Sequence, residues 1–139
     1  TKADVVVIDP FYYLDYETNT SRTTGGDAAN TSVKLRALAG RTRTVIHAIT
    51  QADEDGQKSD ADRELDAPAR KDVLKTKALL QDAANLFAID TMDGRGIIQL
   101  GKGRQGGEGA TIEVMYLPNY GVVKEIGDEL AAMAAMLGY

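Results

Sequence analysis

The most constraining feature of this sequence is a run of four β-branched residues near its start, Val-Val-Val-Ile at positions 5–8, which Asp9 and Pro10 follow directly. A short, continuous apolar run is typical of a strand that is buried on both faces, as in the parallel sheet of an α/β domain. Open α/β sheets bind ligands at the carboxyl edge of their strands, which is where Asp9 would lie. Magnesium prefers oxygen ligands, so Asp9 is a candidate Mg²⁺ ligand, although an ordinary turn after a strand has the same sequence. The run therefore predicts a central parallel strand that ends in a candidate metal site.

The composition is that of an ordinary domain without cysteine. Its 139 residues, 43% of them hydrophobic, are enough to bury one core, so we expect a single domain over residues 1–139. The lack of cysteine excludes disulfides and thiolate metal sites and fits a reducing compartment such as the cytoplasm. No apolar run approaches the roughly 20 residues of a membrane helix, so no membrane partner is expected. With a net charge of −5 the whole chain repels nucleic acid, and any DNA binding must come from local basic loops.

Glycine, proline and hydrophobic periodicity divide the remaining sequence into alternating helices and strands. Asp27 is a favourable helix N-cap, and apolar residues at 29, 33, 37 and 38 predict a helix over 28–39 that Gly40 ends. Asp93 and Gly94 form a hairpin turn signal. The charged stretch 52–69 is a long loop, and loops of that length are usually functional. The prediction comprises strands at 4–9, 44–50, 86–90, 96–100, 111–117 and 120–123, with helices at 28–39, 70–84 and 128–137.

These elements predict an α/β fold, in which a mixed, mostly parallel sheet continues into a C-terminal antiparallel β meander and carries flanking helices. His47 lies in the middle of a predicted strand and is interpreted as a packed core residue, not as a metal ligand. The last helix would bury one apolar stripe, with Met136 beside it, which indicates packing rather than a cofactor site. The stripe consists of Leu130, Met133, Ala134 and Leu137.

Five short segments, in order along the chain, resemble motifs of the RecA-like motor domain of DnaB-type hexameric replicative helicases from bacteria or phages. No single segment is specific, and the resemblance depends on their order and spacing. The segments are 5–9, similar to the Walker B strand; 32–39, similar to the S-x-x-L-K-x-L-A helix but with Arg36 for Lys; 49–51, similar to the S-Q strand but with Thr50 for Ser; 80–85, similar to the I-E-Q-D-A-D segment; and 102–106, similar to the K-x-R-x-G turn.

The resemblance implies a partial RecA-like P-loop NTPase core that uses ATP and Mg²⁺. Asp9 would hold Mg²⁺ between the β- and γ-phosphates, and Gln51 would sense the γ-phosphate and relay its state to the DNA loops. Lys102 and Arg104 would reach the nucleotide of the adjacent subunit, with Arg104 as the arginine finger, because a guanidinium stays charged and pairs bidentately with phosphate. Gln51, Lys102 and Arg104 are thus the catalytic candidates.

Lys102 and Arg104 stand two positions apart, and we expect both to lie on an exposed glycine-flanked turn and to point to one side. Plain alternatives exist for each candidate: a strand end for Asp9, a solvated loop residue for Gln51 and a solvated basic hairpin for the two cations. The glycines of 101–109 are not a dinucleotide fingerprint, because strands flank them on both sides rather than a strand and a helix.

The implied partners are single-stranded DNA, further copies of the chain in a hexameric ring, and a primase and a helicase loader. Loops 17–26 and 52–69 would face the pore of the ring. Acidic residues outnumber basic ones in 52–66, which weakens the DNA assignment. The candidate contacts to DNA phosphates are Lys58, Arg63, Arg70 and Lys71.

One family motif has no counterpart in the 139 residues, namely the phosphate loop G-x-x-x-x-G-K-S/T. The catalytic glutamate of the family also lies upstream of the Walker B strand. The chain begins with Thr1 and reaches its first strand within a few residues, so we expect it to be cut from a longer protein and not to hydrolyse ATP alone. An upstream segment or a companion chain would carry the phosphate loop.

The absence of the phosphate-loop segment from these residues also predicts which strands pair in the sheet. In RecA-like folds the phosphate-loop strand lies between the strand at 44–50 and the strand at 86–90, so these two should not pair directly. Strand 4–9 should lie parallel to 44–50, and 86–90 should pair with 96–101. Because unpaired backbone groups are not tolerated in buried structure, another segment should fill the gap.

Two other functions stay open. The same fold occurs in RecA-type recombinases and KaiC-like regulatory ATPases, although a pair of cations acting in trans favours a ring helicase. The absence of a phosphate loop from these residues instead favours a non-catalytic RecA-like module that only binds partners or DNA.

Overall fold

The structure is a computed structural model that describes residues 3–14, 26–52, 64–72 and 78–127. The chain divides into two compact units, Thr1–Gly56 with Ala69–Ala84, and Gln57–Pro68 with Asn85–Tyr139. The described strands form a two-stranded parallel sheet and a four-stranded antiparallel sheet. The mixed α/β class with a terminal meander is therefore confirmed. The mostly parallel sheet is not, because only one of the four described strand pairings is parallel.

Most predicted elements are present, with changed ends. Short 3₁₀ turns accompany them at Phe11–Tyr13, Arg70–Asp72 and Pro118–Tyr120. The predicted helix at 128–137 lies outside the described residues, as do most of loops 17–26 and 52–69. None of the described helices is long and apolar enough to cross a membrane. The elements are β1 (Val5–Ile8), α1 (Gly26–Thr42), β2 (Val45–Ala48), α2 (Ala78–Asp82), β3 (Asn85–Met92), β4 (Arg95–Gly103), β5 (Thr111–Leu117) and β6 (Val122–Glu125).

In the first unit, β1 and β2 are parallel and in register from Val5 opposite Val45 to Ile8 opposite Ala48. The pairing continues past the end of β2, since the Ile49 N–H donates to the Ile8 carbonyl at 2.9 Å. The predicted parallel pairing of 4–9 with 44–50 is thus confirmed.

The burial of β1 differs from its prediction. Val5 is 54% exposed and Val7 60% exposed, although the sequence predicts a strand that is buried on both faces. The physical reason is that β1 pairs only with β2 among the described strands, and α1 packs against β2. His47 is exposed as well, so its interpretation as a packed core residue is wrong.

Helix α1 is longer than predicted and buries a different side. It already includes Gly26 and Asp27, so Asp27 is not the N-cap, and it continues through Gly40. A glycine inside a helix costs only about 1 kcal/mol, which its neighbours offset. The buried residues are Ala28 and Ser32, whereas Val33 of the predicted apolar stripe is 55% exposed.

The predicted helix 70–84 is only partly helical in the described residues. A 3₁₀ turn occupies Arg70–Asp72, and α2 covers Ala78–Asp82, while 73–77 lie outside the description. Leu80 is 9% exposed, so the apolar position predicted there is buried in the first unit.

The second unit is a meander of four strands in the order β3-β4-β5-β6. Its first hairpin turns at Asp93, with φ 49°, and Gly94, with φ 77°. Positive φ at both central residues is the type I′ geometry that Asp-Gly favours. The pairing of 86–90 with the fourth strand is confirmed, for example by Phe87 opposite Leu100 and Asp90 opposite Ile97.

Strands β2 and β3 belong to separate sheets, which agrees with the expected gap between 44–50 and 86–90. The segment that would fill this gap stays a prediction.

Candidate functional site

The parallel pair brings two of the candidate residues to one edge of its sheet. Asp9 directly follows β1, and Gln51 lies shortly beyond the end of β2, so both stand past the carboxyl ends of adjacent strands. Both side chains are exposed. The chain is held in place there, since the Phe11 N–H donates to the Ile49 carbonyl at 2.7 Å and Phe11 is only 2% exposed. The carboxyl edge of β1–β2 therefore offers one carboxylate and one amide to a ligand.

Asp9 and Gln51 can bind Mg²⁺ only if water and substrate phosphates supply its other ligands. The described residues contain no cluster of three or more His, Cys, Asp or Glu that would enclose a metal. Magnesium typically binds proteins through one or two carboxylates and completes its shell with water and substrate phosphates. Asp9 suits such a site because its carboxylate is exposed at the ligand edge.

The two cations of the second unit lie in different local structures. Lys102 is part of β4, is half-buried and stands opposite Leu86 beside a bulge in the strand pairing. Arg104 follows the end of β4 and is exposed. The prediction that both stand on one exposed turn is therefore wrong for Lys102. The strand also ends at Gly103, so strand alternation does not place the two side chains on one side.

The turn that carries Arg104 is tightly closed by backbone hydrogen bonds. The Gly106 N–H donates to the Gly103 carbonyl at 3.1 Å, and the Gly109 N–H donates to the Leu100 carbonyl at 2.8 Å. A Cβ at Gly103 would clash with the Gly106 carbonyl oxygen, so only glycine fits there. Arg104 thus stands on a defined turn.

Two of the four DNA candidates are described. Arg70 and Lys71 are exposed in the 3₁₀ turn Arg70–Asp72, which belongs to the first unit. The Asp72 N–H donates to the Ala69 carbonyl at 2.9 Å, and the Asp72 carboxylate accepts from the Ala69 N–H at 2.8 Å. Lys58 and Arg63 lie outside the described residues.

Sequence reasoning missed a polar contact between two of the motif segments. The Ser32 hydroxyl on α1 donates to Asp82 Oδ2 on α2 at 2.7 Å, and Arg36 Nη1 lies 3.5 Å from Asp82 Oδ1. Ser32 is 2% exposed. The spacing of Ser32 and Arg36, four apart on one helix face, was the available signal. It did not identify Asp82, because the partner lies 50 positions along the chain.

No family profile matches the sequence, and no curated protein is similar enough to count as a relative. Solved structures do match. The ATPase domain of G40P superimposes with a TM-score of 0.73 and 20% identity over 88% of this chain and 44% of that one. A DnaB-like replicative helicase, solved in a study of its interactions with primase, gives a TM-score of 0.68 and 19% identity over 86% of this chain and 30% of its own. The fold is that of a DnaB-like helicase ATPase domain.

The DnaB-like fold confirms the architecture that the motif resemblance predicted from the sequence. At 20% and 19% identity, the similarity concerns the fold. The chain spans less than half of either structure, 44% of the first and 30% of the second. In a DnaB-like fold, as in other open α/β sheets, ligands are expected at the carboxyl edge of the parallel strands, which is where Asp9 and Gln51 lie.

Proposed function

We propose that this chain is the C-terminal part of the motor domain of an ATP-driven, ring-forming replicative DNA helicase. The observation that carries the proposal is the position of Asp9 and Gln51, which lie past adjacent parallel strands in a fold shared with DnaB-like ATPase domains. Residues 1–139 form one partial motor domain, and an upstream segment or companion chain carries the phosphate loop. The intact protein works in the cytoplasm as a hexamer, with single-stranded DNA, a primase and a helicase loader as partners.

Each candidate residue has one task in this proposal. Asp9 binds Mg²⁺, which when bound with ATP neutralises charge on the β- and γ-phosphates. The Gln51 amide, on the next strand, is suited to donate to a γ-phosphate oxygen or to orient water. Its exposure at the ligand edge supports this role.

Arg104 and Lys102 serve the nucleotide of a neighbouring subunit. The closed glycine turn supports this role for Arg104, because it presents a permanently charged guanidinium on a fixed, exposed backbone. Lys102 is half-buried in β4, so it contributes its charge from the strand beside that turn. Lys58, Arg63, Arg70 and Lys71 contact DNA phosphates, and the exposure of the Arg70–Lys71 turn supports this assignment.

The decisive experiment uses the intact protein. Arg104→Ala should lower DNA-stimulated ATP hydrolysis on the order of 10³-fold while nucleotide binding is nearly unchanged, because an arginine finger acts mainly on the transition state. Arg95→Ala is the matched control, since Arg95 is an exposed arginine of the same unit whose carboxylate partner is Glu113. It should hydrolyse ATP at close to the wild-type rate.

Mixing subunits tests whether Arg104 acts in trans. Rings assembled from Arg104→Ala and Asp9→Asn subunits contain some interfaces with both native residues, so part of the activity should return. Mixtures that are as inactive as the parents at every ratio would show that the two residues do not cooperate across an interface.

The non-catalytic module is the second candidate, and the observation that favours it is the lack of a G-x-x-x-x-G-K-S/T sequence in these residues. It predicts that the intact protein binds neither ATP nor Mg²⁺-ATP. A recombinase or regulatory ATPase would hydrolyse ATP but would not unwind a forked DNA duplex, so unwinding assays separate these from the helicase. By the same proposal, the 139-residue chain alone should not turn over ATP.

A further inference from the structure

One carboxylate of the meander holds the chain near the end of the charged loop 52–69. Asp90 lies on β3 and is half-buried. Its Oδ2 accepts from the backbone N–H of Asp66 at 3.1 Å, and its Oδ1 accepts from the Thr91 N–H at 2.9 Å. Asp66 stands 24 positions earlier in the chain. The two oxygens of one side chain therefore join the loop to the sheet.

The end of the loop is packed where this hydrogen bond holds it. We call residues 64–68 the anchored segment. Glu64 and Asp66 are exposed, Leu65 is half-buried, and Ala67 is only 8% exposed. Alternation of this kind is typical of an extended chain with one side against a surface. The anchored segment also belongs to the same compact unit as β3.

The side of the meander that carries Asp90 is the covered one. Ala88 stands two positions before Asp90 on the same strand, so its side chain points the same way, and it is 9% exposed. Phe87 and Ile89 on the opposite side are each 57% exposed. The burial of Ala88 agrees with an anchored segment that lies on this side of the sheet.

The two hydrogen bonds of Asp90 require both carboxylate oxygens. An ionised carboxylate only accepts, whereas the side-chain amide of asparagine has one acceptor oxygen and one donor nitrogen. Hydrogen bonds to a charged acceptor are also stronger than neutral ones. Asparagine would therefore fit the space but would lose one of the two contacts.

In the sequence, the anchored segment stands between the two pairs of candidate DNA contacts. Lys58 and Arg63 come before it, and Arg70 and Lys71 follow shortly after it. When binding requires a particular placement of the chain, the apparent affinity falls with the fraction of molecules in which that placement exists beforehand. Fixing the backbone between the cations reduces this loss.

We propose that Asp90 is a positioning residue for the DNA loop. It holds the anchored segment on the meander, so that the cations before and after the segment meet DNA phosphates from a fixed backbone. The carboxylate itself does not contact the phosphates, since its negative charge would repel them. This inference rests on the proposed function, because it assigns Asp90 to the DNA site of the helicase motor.

The anchor is tested first in the 139-residue chain, where neither nucleotide nor DNA is needed. The chain contains no cysteine, so Ala67→Cys supplies a single buried thiol whose labelling rate reports release of the segment. Adding Asp90→Asn should speed labelling about tenfold, the factor expected for losing one charge-assisted hydrogen bond. The matched control is Asp93→Asn, which removes the same charge from an exposed position where φ of 49° suits asparagine. Its labelling should stay within about twofold of Ala67→Cys alone.

A second pair of variants tests the same contact from the loop. Asp66→Pro deletes the N–H that donates to Asp90, whereas Asp66→Ala removes the same charge and keeps that donor. Asp66→Pro should release Ala67→Cys as Asp90→Asn does, and Asp66→Ala should not. Because position 66 is not part of β3–β6, Asp66→Pro keeps the test valid even if Asp90→Asn impairs folding of the sheet.

The positioning role is measured in the intact protein. Asp90→Asn and Asp66→Pro should raise the DNA concentration that gives half-maximal stimulation of ATP hydrolysis about tenfold. The rate at saturating DNA should stay within about twofold of the wild-type rate, because bound DNA restores the placement of the loop. Asp93→Asn and Asp66→Ala should resemble the wild type in both values.

Three results would overturn the role of Asp90. Equal labelling of Ala67→Cys in all backgrounds would show that the contact does not hold the segment. An unchanged half-maximal DNA concentration, or a lower maximal rate alone, would show that the contact does not position the DNA loop. If Arg104→Ala abolishes hydrolysis in the same experiment, that result leaves the helicase proposal standing. Hydrolysis that DNA does not stimulate in the unaltered protein would overturn the helicase proposal and the role of Asp90 together.

Discussion

The parallel pair β1–β2 leaves its valines exposed, with Val5 and Val45 each at 54% and Val7 at 60%. The meander β3–β6 buries Ala88 at 9% and Val114 at 6%, although Phe87 and Ile89 there are each 57% exposed. The two sheets differ in how their strands are connected. Each strand of the meander returns directly on its neighbour, so local hairpins supply both backbone pairing and side-chain contacts. Parallel strands need a long crossover and are stable when both faces are covered. The parallel pair therefore depends on additional segments to extend its strand pairing, whereas the meander pairs its own strands through hairpins.

Two ion pairs, one in each unit, differ in the opposite direction, because the more buried carboxylate lies in the first unit. Asp82 of the first unit is 17% exposed at its side chain and also accepts from the buried Ser32 hydroxyl. Arg95 and Glu113 of the second unit are closer, at 2.6 Å, but their side chains are 52% and 55% exposed. Solvent screens an exposed pair, so distance alone does not rank the two interactions.

The largest expected contrast is between two identical substitutions on the two sheets. Val114→Ala removes two buried methyl groups and leaves a cavity, so it should destabilise the meander by about 2–3 kcal/mol. Val7→Ala, at 60% exposure, should change stability by no more than about 0.5 kcal/mol in this chain. Urea unfolding with hydrogen exchange assigned to each unit measures both.

The stability costs of Val7→Ala and Val114→Ala should also be measured in the intact protein. If a further segment covers and pairs with the parallel sheet there, Val7→Ala should cost about as much as Val114→Ala. Equal and small costs of Val7→Ala in the chain and in the intact protein would contradict the expected gap-filling segment.

A smaller difference in stability is expected when the carboxylates of Asp82 and Glu113 are removed. Asp82→Ala leaves the buried Ser32 hydroxyl without its acceptor and should cost about 1–3 kcal/mol. Glu113→Ala removes an exposed pair and should cost about 0–1 kcal/mol. Hydrogen exchange should show lower protection in α1 for Asp82→Ala, with β3–β6 unchanged. Equal costs for the two variants would mean that the burial of Ser32 does not determine the strength of its contact.

Two glycine substitutions should change the stability by modest amounts and in opposite directions. Gly94 has φ 77° in the type I′ turn, so Gly94→Ala should destabilise the meander by about 1–2 kcal/mol. Gly40 lies inside α1 with no atom within 4 Å of an added Cβ, so Gly40→Ala should stabilise by about 0.5–1 kcal/mol. Thermal unfolding of both variants checks the signs, and a destabilising Gly40→Ala would indicate that α1 is less helical at that position.

Sequence reasoning located the elements well where the signals are local. Asp93-Gly94 specified its turn, and the strand at 111–117 has the predicted bounds. The predicted exposed turn at Lys102 was wrong, because β4 runs past its predicted end at 100 and includes that residue in the strand pairing. The roles of Asp9, Gln51 and Arg104 stay predictions, since the described geometry sets their positions and not their ligands.

The buried side of α1 was predicted incorrectly for a physical reason. Hydrophobic spacing favoured Ala29, Val33 and Ala37, yet the helix buries Ser32, a polar residue that ranks low in any hydrophobicity pattern. A hydroxyl becomes compatible with burial only when it has a partner, and that partner is Asp82 on α2.

By itself, the sequence determined the strand and turn order, the parallel pairing of its first strands and the resemblance to a DnaB-type motor, because β-branched runs, turn residues and motif spacing act over a few positions. Only the tertiary structure decided which side chains are buried and which candidates share an edge. Burial depends on contacts between residues far apart in the chain, such as Ser32 with Asp82, and on whether each sheet has a covering layer. A valine in β1 and a valine in β5 have the same hydrophobicity, and their surroundings alone make one of them exposed and the other part of the core.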